Sequence, residues 1–245
     1  MGTRLGRTIR KNIFTILNLD RKMKKIIKKN EMSHTERYRF AMRFVDMYHR
    51  DMKVNVITTG VENIDKENTK GCLLVGNHQG KSDAISIMHA LNDFATSFVI
   101  ADKASHGFFF GTVCDAMGAK RIKFDDLRSQ VLVYNEIVNE LNEGKRFIIF
   151  PEAGYGDNRN ELQEFHTPCF QTAIKAKCPI IPICLYDTWK VYHEDFQNRK
   201  VLDVYCHILK PIQYEDYKHL DKKGLCNLVK ETIQAKLDEI NNKED

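Results

Sequence analysis

The first 50 residues of the chain and the remainder carry different hydrophobic patterns. In "RTIRKNIFTILNLDRKMKKIIKKN", Ile9, Ile13, Ile16, Met23 and Ile27 recur at helical spacing, and Leu17 and Ile26 widen the stripe. Asp20 suits the cap of a second helix after a break. A further helix is predicted through about 34–50, with Tyr38, Met42, Val45 and Met47 among its apolar positions.

After residue 50 short apolar runs alternate with helical patterns. "KVNVITTG", "GCLLVGN", "SFVIA", "RFIIF", "PIIPICLY" and "KVLDVYCHIL" read as strands. Helices are predicted at about 83–92, 106–117, 127–143, 169–177 and 222–240. This alternation predicts an α/β fold, with a mixed, mostly parallel sheet covered by helices. No internal repeat, low-complexity tract or linker interrupts it.

Composition adds limits. With 245 residues, 42% hydrophobic and 29% charged, the chain has the make-up of an ordinary globular protein with room for a sizeable core. No run approaches the roughly 18 apolar residues that suggest a membrane span. The N-terminus lacks the apolar stretch of a signal peptide, so a cytoplasmic location is expected. The Met-Gly start lacks the Ser or Thr at position 6 that myristoylation favours. Seven scattered cysteines form neither a C-x-x-C pair nor a Cys/His metal spacing, which predicts reduced thiols and no metal.

The formal net charge of +5 is unevenly spread. Residues 1–50 hold 14 Lys and Arg against four acids, and the rest of the chain is net negative. Such a basic segment suits anionic lipid or nucleic acid. No nucleic-acid motif accompanies it, and its aromatic positions fit a helix core, so nucleic acid is not an expected partner. Two readings remain for these helices. They pack on their own domain, or they form a basic amphipathic anchor in a membrane interface.

The candidate chemistry starts at "GNHQGKSDAIS", where His78 precedes Asp83 by five residues. Residues so spaced lie about 140° apart on a helix, so they meet only if His78 sits in a strand-to-helix turn and Asp83 at the helix entry. Gly80 would permit the bend. The helix dipole and free backbone N–H groups would keep Asp83 ionised. It could then accept the Nδ1 proton of His78, leaving Nε2 to take a proton from a substrate hydroxyl. Spacing alone also allows Asp83 merely to cap the helix and His78 merely to complete the turn.

A second block, "RFIIFPEAGYGD", puts Glu152 at the carboxyl edge of the sheet, where open α/β folds bind ligands. Gly154 and Gly156 would let backbone approach a ligand closely. Lys103, just past a strand, with Arg121 and Lys123 in "GAKRIKF", suits a phosphate, or these cations form a solvated surface.

In this order, N-H-Q-x-x-x-D, F-P-E and P-I-I-P-I resemble the motif blocks of the glycerolipid acyltransferase family, over about residues 71–187. The resemblance implies a glycerol-3-phosphate acyltransferase-like α/β domain at 51–245, with residues 1–50 as a membrane-association segment. It implies His78 as the base that deprotonates the acceptor hydroxyl, Asp83 as its orienting acid and Glu152 as part of the acceptor site. The implied reaction moves a fatty acyl group from acyl-ACP or acyl-CoA to a lysophospholipid, foremost lysophosphatidic acid, giving phosphatidic acid without a cofactor. The expected location is peripheral, on the cytoplasmic face of an anionic membrane.

The chain departs from the family pattern in several places. Ala153, Gly154 and Tyr155 stand where the family has Gly and then usually Thr-Arg, and the second block's arginine falls near Phe124. Arg121 or Lys123 would supply that charge. His166 and Pro168 replace what are more often Lys and Gly. Another lysophospholipid or acylated alcohol as acceptor, or a non-catalytic membrane-binding protein of this fold, are the alternatives.

Overall fold

The computed structural model describes residues 3–65 and 69–244. Two helices, α1 (Arg4–Lys29) and α2 (His34–Met52), lead into an α/β unit. Its strands are β1 (Val54–Thr59), β2 (Leu73–Gly76), β3 (Ser97–Ala101), β4 (Lys120–Ile122), β5 (Phe147–Ile149), β6 (Ile180–Tyr186) and β7 (Leu202–Ile208). Between and after them run α3 (Asp83–Ala90), α4 (Phe110–Ala116), α5 (Leu127–Asn142), α6 (Phe170–Ala176), α7 (Tyr214–Tyr217) and α8 (Lys222–Glu244).

The strands form one sheet in the order β1-β7-β6-β2-β5-β3-β4. All neighbours are parallel except β6 and β7. Side-chain alternation divides the core. Leu74, Ile148 and Ile181 face one side, packed with residues of α1–α4. Leu73, Val75, Phe147 and Ile149 face the other, under α5, α6 and α8. The mixed, mostly parallel sheet flanked by helices is the expected fold class.

The N-terminal helices differ from the expected pair with a break. α1 runs unbroken for 26 residues. Asp20 caps nothing; its carboxylate accepts a hydrogen bond from Thr112 of α4 at 2.6 Å and pairs with Lys24 one turn on. Thr3 caps the start of α1, and Ser33 with Glu36 forms a capping box on α2. Of the predicted stripe, Ile16 and Met23 are buried in the core and Ile27 packs against it, joined by Leu19, while Ile9 and Leu17 stay exposed. The buried Arg4 guanidinium donates to the carbonyls of Met52, Phe196 and Arg199, tying the helix start to distant segments.

Two boundaries also differ. The helix expected from 106 starts at Phe110, because Phe109 takes a positive φ of 63° that a right-handed helix does not accept. Lys120–Ile122, unpredicted as a strand, pairs with β3 at the sheet edge.

Candidate active site

The site forms where β2 ends and α3 begins. Beyond Gly76, the side chain of Asn77 takes over the strand's pairing: its Oδ1 accepts from Leu185 N at 2.7 Å and its Nδ2 donates to Leu185 O at 2.9 Å. Buried Gln79 does the same one step later. Its Oε1 accepts from Thr188 N at 3.0 Å and Thr188 Oγ1 at 2.9 Å, while its Nε2 donates to Leu185 O at 3.0 Å. His78 is thus clamped between two residues whose side chains are bonded to the end of β6.

The Nδ1 of His78 lies 2.7 Å from Oδ2 of Asp83. Asp83 is the first residue of α3 and fully buried. The same Oδ2 accepts the backbone N–H groups of Gln79 at 2.5 Å and Gly80 at 2.8 Å. Two peptide donors and a helix N-terminus stabilise its negative charge, and the carboxylate in turn orients the imidazole. Gly80 is not required by the bend: its φ is not positive, and an added Cβ would come no closer than 3.9 Å to Trp189. What the turn uses at Gly80 is its N–H.

Aromatic rings hold the imidazole from two sides. Phe150 stacks on it at 4.4 Å with 14° between planes, and Tyr155 meets it edge-on at 4.7 Å. Glu152 is only 6% exposed. Its Oε1 accepts the backbone N–H of His78 at 3.3 Å, and its Oε2 accepts Gln163 Nε2 at 2.7 Å. Burial pushes this carboxyl up to about 6, against the opposing pull of those hydrogen bonds.

His78, Glu152, Gly154 and Tyr155 border a cavity of about 930 Å3. Its walls include Ile16, Phe44, Met88, Phe98, Phe109 and Val113 from α1–α4 and β3, so an apolar chamber adjoins the dyad. Gly154 faces open space, where a Cβ would meet nothing within 4 Å. Its neighbour Ala153 is left-handed, at φ 57°, as is Arg159 further along the loop.

The three expected phosphate cations do not line this cavity. Lys103 has a 91% exposed side chain and sits 3.8 Å from Asp125. Arg121 is spent internally, donating to Ser105 Oγ at 2.8 Å and pairing with Asp115 at 2.7 Å. Lys123 is exposed just beyond β4. Instead Lys81, inside the turn between His78 and Asp83, is the one Lys or Arg among the lining residues. Lys81, Asn77 and Gln79 lay within the motif read from the sequence, but only folding shows what they touch. Gln163 carried no signal at all.

A hydrogen-bonded His–Asp pair thus stands at the carboxyl edge of a mostly parallel sheet and opens on an apolar chamber. A family model described as acyltransferase matches residues 55–186, and the chain belongs to that family of acyl-transferring enzymes.

Among curated proteins, the chain is 26% identical over 191 residues to the 1-acyl-sn-glycerol-3-phosphate acyltransferase of Borreliella burgdorferi, covering 76% of this chain and 73% of that protein. It is 29% identical over 194 residues to a chloroplastic enzyme of the same name from Arabidopsis thaliana, spanning 49% of that longer protein. The crystal structure of the 1-acyl-sn-glycerophosphate acyltransferase PlsC from Thermotoga maritima matches with a TM-score of 0.67 at 18% identity, over 96% of this chain and 98% of that one.

Proposed function

We propose that this enzyme esterifies the free hydroxyl of lysophosphatidic acid with an acyl group from an acyl-CoA or acyl-ACP thioester. The observation that carries the reading is the 2.7 Å His78–Asp83 contact at the mouth of the apolar chamber. The names of the curated relatives supply the acceptor.

With Nδ1 committed to Asp83, Nε2 of His78 is the basic atom. The acceptor oxygen attacks the thioester carbonyl carbon while its proton passes to Nε2, and Asp83 stabilises the imidazolium. The tetrahedral intermediate then collapses, the C–S bond breaks, and the thiolate takes the proton back from His78. The products are an ester and a free thiol, with no acyl-enzyme. Lys81 meets the acceptor's anionic headgroup, and the apolar chamber holds an acyl chain away from water. Glu152 and Gln163 support the backbone of the catalytic turn.

The lipid is met at an anionic membrane surface on the cytoplasmic side. Among the described residues, no helix is long and apolar enough to cross a membrane. The outer face of α1 carries Phe14, 85% exposed, and Leu17, with Arg10, Arg21, Lys25 and Lys28 along the same stripe. A different lysophospholipid as acceptor is the second reading, favoured because Arg121 is held by Asp115 and Ser105, outside the cavity lining.

The test is a radiolabelled acyl-transfer assay with a panel of lysophospholipids and both donor types. Preference for lysophosphatidic acid supports the first reading and preference for another headgroup the second. No transfer to any of them refutes both.

A further inference from the structure

Three segments of the chain meet at one side-chain amide outside the dyad. Asn160, in the loop after β5, accepts the backbone N–H of Asp187 at 2.8 Å and Nε2 of Gln79 at 3.1 Å, both on Oδ1. Its Nδ2 donates to Asp187 Oδ1 at 3.0 Å. Asp187 directly follows β6 and takes a left-handed φ of 66°, uncommon outside glycine. Asn160 grips both the main chain and the carboxylate of that turn, and Lys190 holds the other carboxylate oxygen.

The same amide is connected to the imidazole. Gln79 is 3% exposed, and its Nε2 is shared between the Leu185 carbonyl and Asn160. The backbone N–H of Gln79 is a donor to Asp83 Oδ2, the atom bonded to His78 Nδ1. From Asn160 to Gln79, to Asp83, to His78, every link between residues is a hydrogen bond. The loop that carries Asn160 has anchors of its own. His166 N–H donates to the Pro151 carbonyl at 2.8 Å, Phe165 is buried, and Leu162 packs against the core under α5, α6 and α8. Loss of Asn160 therefore frees the Gln79 side chain and the turn after β6, and leaves the loop closed.

We propose that Asn160 is a positioning residue for acyl transfer, acting through Gln79 to hold Asp83 and the His78 imidazole in the geometry that accepts the hydroxyl proton. Proton transfer depends steeply on placement: a displacement of about 1 Å costs about 10²-fold in rate. Asn160 is not among the residues lining the cavity, so its effect falls on the rate and not on substrate binding. The inference rests on the acyl-transfer reading for the reaction, and on the hydrogen bonds for the residue.

The test compares the full chain with Asn160→Ala, Asn160→Asp, the double variant Asn160→Asp with Asp187→Asn, and Asn158→Ala. Asn158 is the control, because its side chain bonds only Gly156 and Glu161 within the loop. In steady-state kinetics Asn160→Ala lowers kcat by about 10–100-fold and leaves both KM values within about twofold of wild type. Asn160→Asp keeps the accepting oxygen but sets a carboxylate against that of Asp187, and it turns over as poorly. Adding Asp187→Asn returns a donor to that contact and restores turnover. Asn158→Ala stays close to wild type.

Proton NMR reads the dyad without turnover. The Nδ1–H of a histidine bonded to a carboxylate resonates far downfield, and its loss in His78→Ala identifies the signal. In Asn160→Ala the signal moves upfield or broadens, and in the double variant it returns. Wild-type kcat in Asn160→Ala, an equal loss in Asn158→Ala, or a double variant no better than Asn160→Asp overturns the proposal. If Asn160→Ala does not fold, Asn160→Asp and its rescue decide the same point. A displaced His78 signal in Asn160→Ala, with no transfer to any lysophospholipid by wild type, refutes the proposed reaction and leaves Asn160 assigned to the dyad.

Discussion

The backbone N–H of His78 donates to Glu152 Oε1 at 3.3 Å, so two separate sequence blocks are joined at the base of the His78 imidazole. The contact links the end of β2 to the loop after β5, two strands that are neighbours in the sheet. It makes the geometry of His78 depend on a residue 74 positions away.

Replacing either member of the dyad should remove turnover without unfolding the protein. His78→Ala and Asp83→Asn are each expected to lower kcat by about 10²–10⁴-fold, the usual contribution of general-base action. Circular dichroism and thermal melts check that the fold persists. Purified His78→Ala with near wild-type turnover would rule out the proposed base.

Glu152 gives a pH signature in stability. Its carboxyl is raised to about 6 by burial, above the ordinary 4.5, so the folded state holds this proton more tightly than the unfolded state. Stability therefore falls as pH rises through that window, by about 2 kcal/mol, and stays lower above it. Glu152→Gln keeps an acceptor for the His78 N–H and has no charge to bury. Urea titrations from pH 4 to 7.5 should show the variant gaining stability relative to wild type as pH rises through this window and no change in the difference outside it. A pH-independent difference would mean that Glu152 does not titrate there.

Lys81 should control acceptor binding where Lys103 and Lys123 do not. Loss of one charge-assisted contact costs about 1.5–3 kcal/mol, so Lys81→Ala should raise the acceptor KM by about tenfold or more and leave the donor KM nearly unchanged. Lys103→Ala and Lys123→Ala should stay close to wild type in both. Steady-state kinetics with each substrate varied in turn decides this, and a selective effect of Lys123→Ala would return the headgroup to the edge of β4.

Acid should destabilise the protein through His49. This side chain is 3% exposed and its ring lies 4.3 Å from that of His89. Burial first, then the neighbouring His89, pushes it down to about 4 from 6.5, while its hydrogen bond to the Val45 carbonyl opposes the shift. The unfolded state takes up the proton first as pH falls. The His49 contribution is therefore fully present above pH 6.5 and is lost between 6.5 and about 4, some 3 kcal/mol in all. His49→Gln should flatten that slope in denaturant titrations, and an unchanged slope would show that His49 is not the titrating group.

Membrane binding should come from the outer face of α1. Deleting the helix is the wrong test, because Ile16, Leu19 and Met23 belong to the core. Arg21→Glu with Lys25→Glu should weaken sedimentation with anionic vesicles, since each basic residue near such a surface contributes about 1 kcal/mol. Salt should reduce the difference as the Debye length shrinks below about 10 Å. Phe14→Ser should remove the part of binding that survives high salt. If neither variant lowers binding, the membrane contact lies elsewhere on the protein.

Much of the fold was legible in the sequence because it follows from local rules. Apolar runs such as "CLLV" and "FIIF" specify strands buried on both faces, and the intervening helical periods specify the layers that cover them. The His78–Asp83 pairing was legible only through the order of the motif blocks around it, because the spacing alone equally allowed a helix cap and a turn residue. The periodicity of α1 was equally plain, but not what its apolar face would touch. A stripe of isoleucines satisfies either a bilayer or a sheet, and only packing against α2 and α4 showed that Ile16 and Met23 lie in the core. The continuity of α1 through Asp20 was likewise decided from outside the helix, by Thr112. The same holds for the cations. Lys103 and Lys123 follow strands and Arg121 lies within β4, yet Arg121 is captured by Asp115 and Ser105, and Lys81 is the one Lys or Arg that lines the cavity. Periodicity and capping are properties of a few consecutive residues, whereas the partner of a charge is set by chain segments that only folding brings together.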